Sequence, residues 1–301
     1  MKTSRYYALE QSPLYKMPSK SKLADLLLVT RKDLKFLSEA DNLYSHFPVP
    51  KRDGTQRIVD NPCDQLKRIQ RRIASLIGRI APPHALFCPV KGRSYVDNAA
   101  HHRAGRVVHC LDIQTYYPSS PRRRVYWFFH TIMKCPKDVS AILSGLACCN
   151  GSLATGSPAS PVLAYYTHMA TWERVATTVK TAGCSLSIYI DDVTISGAKV
   201  PKRLVWQVKE IIHGGGLRYH KEKRSVDRPC EVTGVVLRGG QLAAPNRQHR
   251  KLCEAKRAKS RATDPATAAK FESTLVGLKG QMGQINNANA HVLAEVRYDP
   301  E

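Results

Sequence analysis

The spacing of hydrophobic residues in the first 45 positions predicts short helices. Ser21 and Thr30 are candidate N-caps of these helices, because each precedes an apolar-periodic segment. The leucines that recur at near-helical intervals are Leu23, Leu26, Leu27, Leu34 and Leu37.

The pattern changes twice between positions 47 and 80. Residues 47–51 and 56–60 are predicted to form two strands joined by a turn at Asp53-Gly54. Residues 65–80 are predicted to form an amphipathic helix with many Arg and Lys residues facing outward. The inward face of this helix is predicted to consist of Leu66, Ile69, Ile73, Leu76 and Ile77.

Two apolar segments further along the chain predict strands that carry acidic residues. Residues 107–112 (VVHCLD) end in Asp112, and residues 186–196 are interrupted by Asp191 and Asp192. The first segment therefore ends in a carboxylate, and the second carries two carboxylates near its middle.

The remaining apolar segments predict four more elements. Residues 156–166 start as a Gly/Pro turn and continue as a helix, and residues 205–212 form a helix that ends at the glycines 214–216. Residues 232–237 are predicted to form a short strand. The region after Ala244 is rich in Lys, Arg and Ala, which predicts a basic helical bundle.

The charge of the chain indicates a polyanionic partner. Among 301 residues, 47 Lys and Arg against 24 Asp and Glu give a net charge of +23, spread along the chain. A net charge of up to about 8 is enough for the solubility of a small domain, so the excess predicts nucleic-acid binding. The hydrophobic fraction of 43% supplies a core for one large or two modest domains.

The cysteines and the lengths of the apolar segments indicate the cellular location of the protein. Nine scattered cysteines without a CxxC pair are typical of reduced thiols, and not of a disulfide scaffold or a zinc site. No run approaches the about 18 apolar residues of a membrane span, and the first residues (MKTSRYYALEQ) lack the apolar core of a signal peptide. We therefore expect a cytoplasmic protein without a membrane partner.

The acidic residues of the two strands are the main candidates for chemistry. Asp191 and Asp192 are flanked by β-prone residues, so we expect them at the tight turn of a β-hairpin. Adjacent carboxylates repel each other unless a cation compensates, and Mg²⁺ prefers such hard oxygen ligands. If a neighbouring strand brings Asp112 beside them, the three carboxylates could hold two metal ions about 4 Å apart for phosphoryl transfer. Taken alone, the Asp-Asp pair could equally be a solvated turn.

Five segments resemble, in order and spacing, the motifs of reverse transcriptases, and this resemblance covers roughly residues 47 to 240. The segment FPVPKRDGTQRIV is similar to the part of those enzymes that grips the incoming triphosphate. The other four are Asp112-Ile-Gln-Thr-Tyr-Tyr117, Gly156-Ser-Pro-Ala-Ser-Pro161, Tyr189-Ile-Asp-Asp192 and Gly216-Leu-Arg-Tyr-His-Lys-Glu-Lys223.

The resemblance implies roles for individual residues. Asp112, Asp191 and Asp192 would be catalytic and, together with Ile113, would hold two Mg²⁺ ions. Tyr117 would lie under the sugar and exclude a 2′-hydroxyl, although packing in the core is an alternative role. The cations among the nucleotide contacts could neutralise phosphate charge or be ordinary surface charges. The residues expected to contact the incoming nucleotide are Lys51, Arg57, Tyr117, Gly156, Ser157, Pro158 and Lys223.

Two shorter motifs narrow the resemblance to the bacterial retron reverse transcriptases. Asn98-Ala-Ala-His-His102 matches their NAxxH element just before the first catalytic Asp, and Val232-Thr-Gly234 matches their VTG element. His102 could instead hold a loop, and the basic C-terminal residues could instead form a solvated helix face. The candidate RNA-binding residues are Asn98, His102, Val232, Thr233, Gly234, Arg247, Arg250, Lys251, Lys256 and Arg257.

Three positions depart from the pattern of that family. Thr155 stands where a glutamine usually precedes the glycine-proline motif, Ile190 where alanine is usual, and His220 where asparagine is common. None of these changes removes a carboxylate, so we expect the activity to be retained.

The resemblance also implies the architecture. We expect an α+β right-hand polymerase fold with fingers, a palm built on a small antiparallel sheet, and a helical thumb. The expected divisions are residues 1–45 as an N-terminal helical segment, 46–240 as fingers and palm, and 241–301 as a thumb that grips RNA by shape and phosphate contacts.

The implied function is that of an RNA-directed DNA polymerase. Enzymes of this kind copy a dedicated structured noncoding RNA, start from the 2′-hydroxyl of an internal guanosine, and leave a branched RNA–DNA product called msDNA. We expect dNTPs as substrates, a separate effector protein, and a role in antiphage defence. Host RNase H is the expected partner for template removal, since no segment of the sequence is left for an RNase H domain or a fused toxin.

Two other functions compete with this one. A group II intron-like or diversity-generating reverse transcriptase would not predict both the NAxxH and the VTG element. A noncatalytic RNA-binding scaffold that sequesters an effector would have no reason to keep three adjoining carboxylates.

Overall fold

The structure, a computed structural model, describes residues 6–40, 42–50 and 54–296, with the backbone alone for residues 291–296. The α-helices are α1 (Lys20–Leu27), α2 (Arg31–Glu39), α3 (Asp64–Ile77), α4 (Tyr95–Ala100), α5 (Arg122–Trp127), α6 (Lys137–Ala147), α7 (Ser160–Thr167), α8 (Met169–Thr181), α9 (Lys202–Gly214), α10 (Asn246–Arg261) and α11 (Pro265–Val296). The strands are β1 (Tyr44–Pro50), β2 (Gln56–Pro62), β3 (Leu86–Cys88), β4 (Val107–Ile113), β5 (Cys148–Cys149), β6 (Ser152–Leu153), β7 (Ser185–Tyr189), β8 (Asp192–Gly197), β9 (Tyr219–Val226), β10 (Cys230–Val232), β11 (Val235–Arg238) and β12 (Gln241–Ala243). A short 3₁₀-helix (Leu9–Gln11) and a π-helix (Phe128–Ile132) complete the regular structure of these residues.

The first two helices confirm the prediction of short helices near the N-terminus. The Thr30 side chain caps α2 by accepting a hydrogen bond from the Asp33 N–H at 3.0 Å. The predicted cap Ser21 is wrong, because it lies inside α1; Ser19 caps that helix and accepts from the Lys22 N–H at 3.3 Å. These helices pack into the main core, whose members here include Leu23, Leu27, Leu34 and Leu37.

The predicted strand pair and amphipathic helix are both present. Strands β1 and β2 pair in antiparallel register from Tyr44 opposite Pro62 to Pro50 opposite Gln56. Asp53 of the predicted turn lies outside the described residues. Helix α3 buries its entire predicted apolar face: Leu66, Ile69, Ile73, Leu76 and Ile77.

A five-stranded sheet in the order β3-β7-β8-β4-β9 forms the centre of the molecule. Strands β7, β8, β4 and β9 are antiparallel, and β7 and β8 form the predicted hairpin. The expectation of an antiparallel sheet is wrong at one edge, where β3 runs parallel to β7. The three residues of β3 are too few to show a hydrophobic period, so this pairing has no signal in the sequence.

Helices cover the central sheet and complete the main core. The predicted helix at 156–166 is α7, and the predicted helix at 205–212 is α9, which ends at Gly214 with Gly215 as its C-cap. Large aromatic side chains are fully buried in this core: Phe128, Phe129 and Trp172. The chain is thus a mixed α+β protein with a mixed sheet, which confirms the coarse fold class.

The C-terminal part adds a small sheet and two long helices. The predicted single strand at 232–237 is wrong: β10 and β11 are two strands, and Thr233 and Gly234 form the turn between them with φ of 44° and 89°. Helices α10 and α11 confirm the predicted helical region. The Asn289 side chain accepts from the Leu242 N–H at 2.9 Å and donates to its carbonyl at 2.7 Å, which joins α11 to β12.

A membrane span is absent from the part of the chain that the structure describes, since none of its helices combines the length and the hydropathy needed to cross a bilayer.

Candidate active site

The three candidate acids meet where β4 and β8 lie side by side. Asp112 on β4 is directly opposite Asp192, the first residue of β8. Asp191 lies in the preceding turn, and its carbonyl accepts a hydrogen bond from the Ile113 N–H at 2.8 Å. The predicted proximity of the three carboxylates is therefore present, although their chemical role stays a prediction.

The turn that carries Asp191 has an unusual backbone. Ile190 has φ of +57°, in the left-handed region. A β-branched residue is disfavoured in this region by about 1–2 kcal/mol. The side chain is also partly buried against the main core, so packing and the strand pairs on both sides hold the turn in this conformation.

The electrostatics of this cluster indicate a missing positive charge. Burial, with smaller contributions from the neighbouring carboxylates of Asp191 and Asp112, raises the pKa of Asp192 to about 7. Burial also raises the pKa of Asp191, with a smaller contribution from Asp112. Nearby cations act in the opposite direction but do not cancel the effect: Arg57 and His220 for Asp191, and Lys221 and Lys223 for Asp192. A cluster of partly buried carboxylates with this deficit fits a hard divalent cation such as Mg²⁺.

Strand β9 places basic residues beside the acids. Lys221 is opposite Asp112 across the β4–β9 pairing, and Lys223 is opposite Cys110. His220 Nε2 is 3.8 Å from Asp112 Oδ2, so the residue that departs from the family pattern adds a third basic side chain here. These residues are suited to neutralise phosphate charge near the carboxylates.

Tyr117 and Arg57 lie close to the same acids. Tyr117 is half-buried against the main core; burial raises its pKa, and the charges of Asp191 and Arg57 act on it in opposite directions. Its neighbour Tyr116 is fully buried and donates a hydrogen bond to the Ala164 carbonyl at 2.9 Å. Of the two adjacent tyrosines, Tyr117 is thus the one that can meet a ligand. Lys51, the other predicted triphosphate contact, lies outside the described residues.

The Gly156 turn contacts protein rather than an open site. A Cβ atom on Gly156 would lie 2.4 Å from the Asp60 carbonyl oxygen, so only glycine permits the close approach of this turn to β2. The Thr155 N–H donates to the Asp60 carboxylate at 3.1 Å. Ser157 is 4% exposed, and its hydroxyl accepts from the Ala159 N–H. Gly156 and Ser157 therefore join the turn to β2, Gly156 and Pro158 are half-buried, and nucleotide contact by the three residues stays a prediction.

Asp60 is also part of a small cluster at the base of the β1–β2 hairpin. Donor atoms of His46, Asp60 and Cys149 all lie within 4.8 Å of one another. The two carboxylate oxygens of Asp60 already bond His46 Nδ1 at 2.9 Å and the Thr155 N–H. This cluster is thus explained as a structural joint.

The NAxxH residues are buried supports. His102 is fully buried, with Nδ1 2.7 Å from the Ser196 hydroxyl and Nε2 2.7 Å from the Ser187 hydroxyl. It therefore bridges the two strands of the hairpin that carries the acids. Asn98 is also fully buried and donates to the Thr233 hydroxyl at 3.2 Å. Direct RNA contact by the Asn98 and His102 side chains is corrected accordingly, because neither side chain reaches the surface.

A cavity of about 500 Å³ connects the acids with the turn between β10 and β11. Val232 is 1% exposed, so its side chain packs inward and the predicted RNA contact is wrong for that side chain. Arg247 pairs with Glu231 through two hydrogen bonds at the wall of the cavity. The residues that line the cavity and concern the site are Tyr95, Asp112, Asp192, Lys221, Lys223, Glu231, Thr233, Gly234 and Arg247.

The other basic candidates lie on α10, away from the walls of this cavity. Arg250 is exposed and pairs with Glu254 one turn later at 3.6 Å. Lys251, Lys256 and Arg257 are exposed. They form a basic helix surface, and their contact with RNA stays a prediction.

Two residues of the site were missed from the sequence. Lys221 could have been found, because it precedes Lys223 by two positions on a strand and therefore faces the same side. Asp60 could not have been found, because its contact with Thr155 spans 95 positions and follows no motif.

The three carboxylates are suited to a divalent cation, and they lie at a hairpin of the central sheet beside a cavity with basic walls. This arrangement defines a candidate site for phosphoryl transfer. The sequence comparisons agree with the resemblance predicted from the motifs: the chain is similar to the bacterial retron reverse transcriptases. No protein-family model matches it.

Three relatives illustrate the similarity. The retron Se72 reverse transcriptase of Salmonella heidelberg is 28% identical over 243 residues, which cover 75% of this chain and 64% of the relative. The retron Mx162 reverse transcriptase of Myxococcus xanthus is 28% identical over 235 residues, or 67% and 48% of the two chains. The retron Ec86 reverse transcriptase of Escherichia coli is 23% identical over 249 residues, or 79% and 78%. The chain thus spans less than two thirds of the length of the first two relatives.

Proposed function

We propose that this protein is the RNA-directed DNA polymerase of a retron. The observation that carries the proposal is the cross-strand pair of Asp112 and Asp192, with Asp191 in the adjoining turn. Similarity to retron reverse transcriptases supports the same activity.

The catalytic metal would be Mg²⁺, held by the carboxylates of Asp112, Asp191 and Asp192 with the backbone of Ile113 beside them. Two such ions supply activation of the attacking hydroxyl and neutralisation of charge on the triphosphate. In the reaction the hydroxyl oxygen at the primer end would bond to the α-phosphorus of a dNTP, the bond from that phosphorus to the pyrophosphate oxygen would break, and the hydroxyl proton would pass to water. No His or Glu general base is needed for this scheme.

The surrounding side chains would position the nucleotide. Arg57, Lys51 and Lys223 would contact the triphosphate, and Lys221 would add charge next to Asp112. The ring of Tyr117 would lie against the sugar, where its bulk would favour a deoxyribose. Pro158 would contribute to the nucleotide contact from the edge of the turn.

The regions of the chain would then correspond to the fingers, palm and thumb of a right-hand polymerase fold. The β1–β2 hairpin would belong to the fingers, the central sheet and its helices to the palm, and α10 and α11 to the thumb. The proposed divisions are residues 1–45, 46–240 and 241–301, although the first of these shares the main core with the second. Thr233, Gly234, Arg247 and the exposed cations of α10 would contact RNA.

The proposed substrate is a structured noncoding RNA, primed from the 2′-hydroxyl of an internal guanosine and copied into branched msDNA. The proposal includes a cytoplasmic location, a separate effector protein, host RNase H for template removal, and antiphage defence. The basic composition of the chain supports RNA as the polyanionic partner.

The test is DNA synthesis by the purified protein with its co-purified RNA, dNTPs and Mg²⁺. We expect DNA covalently joined to RNA from the wild-type protein, and none from Asp191→Asn or Asp192→Asn. Full DNA synthesis by either variant would contradict the mechanism.

The same experiment distinguishes the competing functions. A noncatalytic scaffold would bind RNA and make no DNA with any added metal. A group II intron-like or diversity-generating enzyme would extend a DNA or RNA primer without forming a 2′,5′ branch. Sequencing the bound RNA would identify the template in either case.

A further inference from the structure

A second cavity lies at the opposite end of β4 from the carboxylates. It has a volume of about 630 Å³ and is bounded by the segment before β4, the end of β9 and the turn between β11 and β12. Four arginines and one acid contribute to its walls: Arg103, Arg106, Arg228, Arg238 and Asp227.

The arginines of this cavity have more positive charge than the acid can neutralise. Arg106 and Asp227 form a bidentate ion pair, with Nε donating to Oδ1 at 2.9 Å and Nη2 donating to Oδ2 at 2.8 Å. Arg103, Arg228 and Arg238 have no carboxylate within 4.0 Å among the residues that the structure describes. Three guanidinium groups without an acidic partner therefore line one concave surface.

The walls of the cavity also allow a bulky ligand to approach the backbone. Gly239 and Gly240 form the exposed turn between β11 and β12, with φ of 56° and 77°. No atom lies within 4 Å of a Cβ placed on either residue, so the space above the turn is open. Arginine with its planar group of five donors is well suited to phosphate oxygens approaching such a surface.

The position of the cavity separates it from the carboxylate site. Strand β4 begins at Val107 beside the cavity and reaches Asp112 five residues later, a rise of about 17 Å. A single nucleotide bound at the carboxylates is too short to fill both places. A polymer with phosphates at regular intervals can occupy both at once.

We propose that this arginine cavity, defined by Arg103, Arg106, Arg228 and Arg238, binds the phosphate backbone of RNA outside the polymerase site. The proposal rests on the proposed function for the identity of the polymer. It adds a contact surface that neither the sequence motifs nor α10 includes. The chemistry of recognition is charge and shape, so the surface contributes affinity and not base specificity.

The test compares the variant Arg103→Gln/Arg228→Gln/Arg238→Gln with wild-type protein. The probe is a fluorescein-labelled RNA hairpin with a stem of about 20 base pairs, titrated at several salt concentrations. Each lost phosphate contact lowers the slope of log K against log salt by about 1. We expect the slope to fall by about 3 and the affinity to fall by about tenfold or more at low salt.

A matched control removes three positive charges elsewhere. Arg174→Gln/Lys180→Gln/Arg203→Gln changes exposed residues of α8 and α9, so its salt slope should stay near that of wild type. If both triple variants lose the same slope, the effect belongs to net charge and the proposal is wrong. If the triple variant does not fold, the single variant Arg238→Gln provides the same test, because Arg238 is exposed next to the glycine turn. Its slope of log K against log salt should change by about 1.

Two further arms separate this proposal from its alternatives. Inorganic phosphate and dGTP are titrated alone by calorimetry; binding that the triple variant abolishes would identify a site for small phosphates and overturn the RNA assignment. DNA synthesis at saturating RNA should keep its kcat within about twofold in the triple variant while the KM for RNA rises. Absence of DNA synthesis in the wild type would contradict the proposed function, whereas an unchanged salt slope would contradict only the arginine cavity.

Discussion

Strand β4 joins two regions in which like charges are gathered, and the two regions differ in burial. At one end Asp112, Asp191 and Asp192 are partly buried, and the pKa of Asp192 is raised to about 7. At the other end Arg228 and Arg238 are exposed, and salt can screen their repulsion. Gathering charges is therefore costly at the acidic end and inexpensive at the basic end.

This difference in burial indicates different kinds of ligand. Partly buried carboxylates need a cation that enters the cluster and coordinates several oxygens at once. Exposed arginines need only a polyanion near the surface, and such binding weakens steeply with salt. We therefore expect the acidic end to control the rate of chemistry and the basic end to control the affinity for RNA.

The largest expected effect is the loss of DNA synthesis in Asp112→Asn. The variant removes one carboxylate from the metal site, and we expect synthesis to fall at least about 10³-fold, since a metal ion stabilises the transition state by several kcal/mol. RNA affinity should stay unchanged, because the arginine cavity is intact. The melting temperature should stay equal or rise, since a repulsive charge is removed.

Initial rates and RNA titrations on the same samples check this prediction. The triple arginine variant should give the opposite result, with weaker RNA binding and a retained kcat. A loss of RNA affinity in Asp112→Asn comparable with that of the arginine variant would show that the two ends of β4 do not act separately.

The next effect in size concerns the sugar of the nucleotide at the acidic end. Tyr117→Ala should increase the incorporation of ribonucleotides relative to deoxyribonucleotides by about tenfold or more, because the ring that would exclude a 2′-hydroxyl is removed. Tyr117→Phe keeps the ring and should keep the selectivity. The ratio of kcat/KM for dGTP and GTP measures the effect, and an unchanged ratio in Tyr117→Ala would leave Tyr117 a packing residue.

The sequence identified the acidic end more completely than the basic end. Asp112, Asp191 and Asp192 were predictable because each follows or interrupts a β-prone apolar segment. Pairing of β4 with β8 then brings Asp112 opposite Asp192. Arg103, Arg228 and Arg238 come from three segments without a shared motif. Their meeting depends on how β9 to β12 pack, and no local pattern encodes that packing.

Local sequence patterns also do not show which side chains are buried or where a short turn divides an apolar segment. Asn98 and His102 were expected to contact RNA, with a structural role for His102 left open, and the motif does not reveal that both side chains point into the protein. The turn at Thr233-Gly234 was assigned to a strand because the valines on both sides are apolar. The close approach of Gly156 to the backbone of Asp60 also had no signal in the sequence.

A smaller effect, on the pH dependence of stability, is expected from His102. Its ring joins the two strands of the hairpin that carries Asp191 and Asp192. Burial lowers the pKa of His102 from 6.5 to about 3, with a smaller contribution from His101. Between these values the unfolded chain binds the proton more readily than the folded protein. The stabilising contribution of neutral His102 is therefore lost as the pH falls from 6.5 toward 3, by about 2 kcal/mol at pH 5.

Urea unfolding at pH 7 and pH 5 checks this expectation. His102→Gln should be less stable than wild type at pH 7 and should lose about 2 kcal/mol less on going to pH 5. His249→Gln, the same substitution at an exposed position of α10, is measured beside it as the control. If His102→Gln and wild type lose the same stability, the histidine is not neutral in the folded protein.

The smallest effect concerns the backbone of the acidic turn. At most positions glycine is less stable than alanine by about 0.5–1 kcal/mol, because it loses more conformational freedom on folding. At Ile190, where φ is +57°, the order should be reversed: Ile190→Gly should be more stable than Ile190→Ala by about 1 kcal/mol. Ile188 on β7 is the matched control, since Ile188→Gly should be less stable than Ile188→Ala. The free energies of unfolding of the four variants decide the matter, and the same order at both positions would mean that Ile190 is not held in the left-handed region. The reversal would establish that the acidic end stores backbone strain as well as charge, because the strand pairs that bring Asp192 opposite Asp112 also fix this turn.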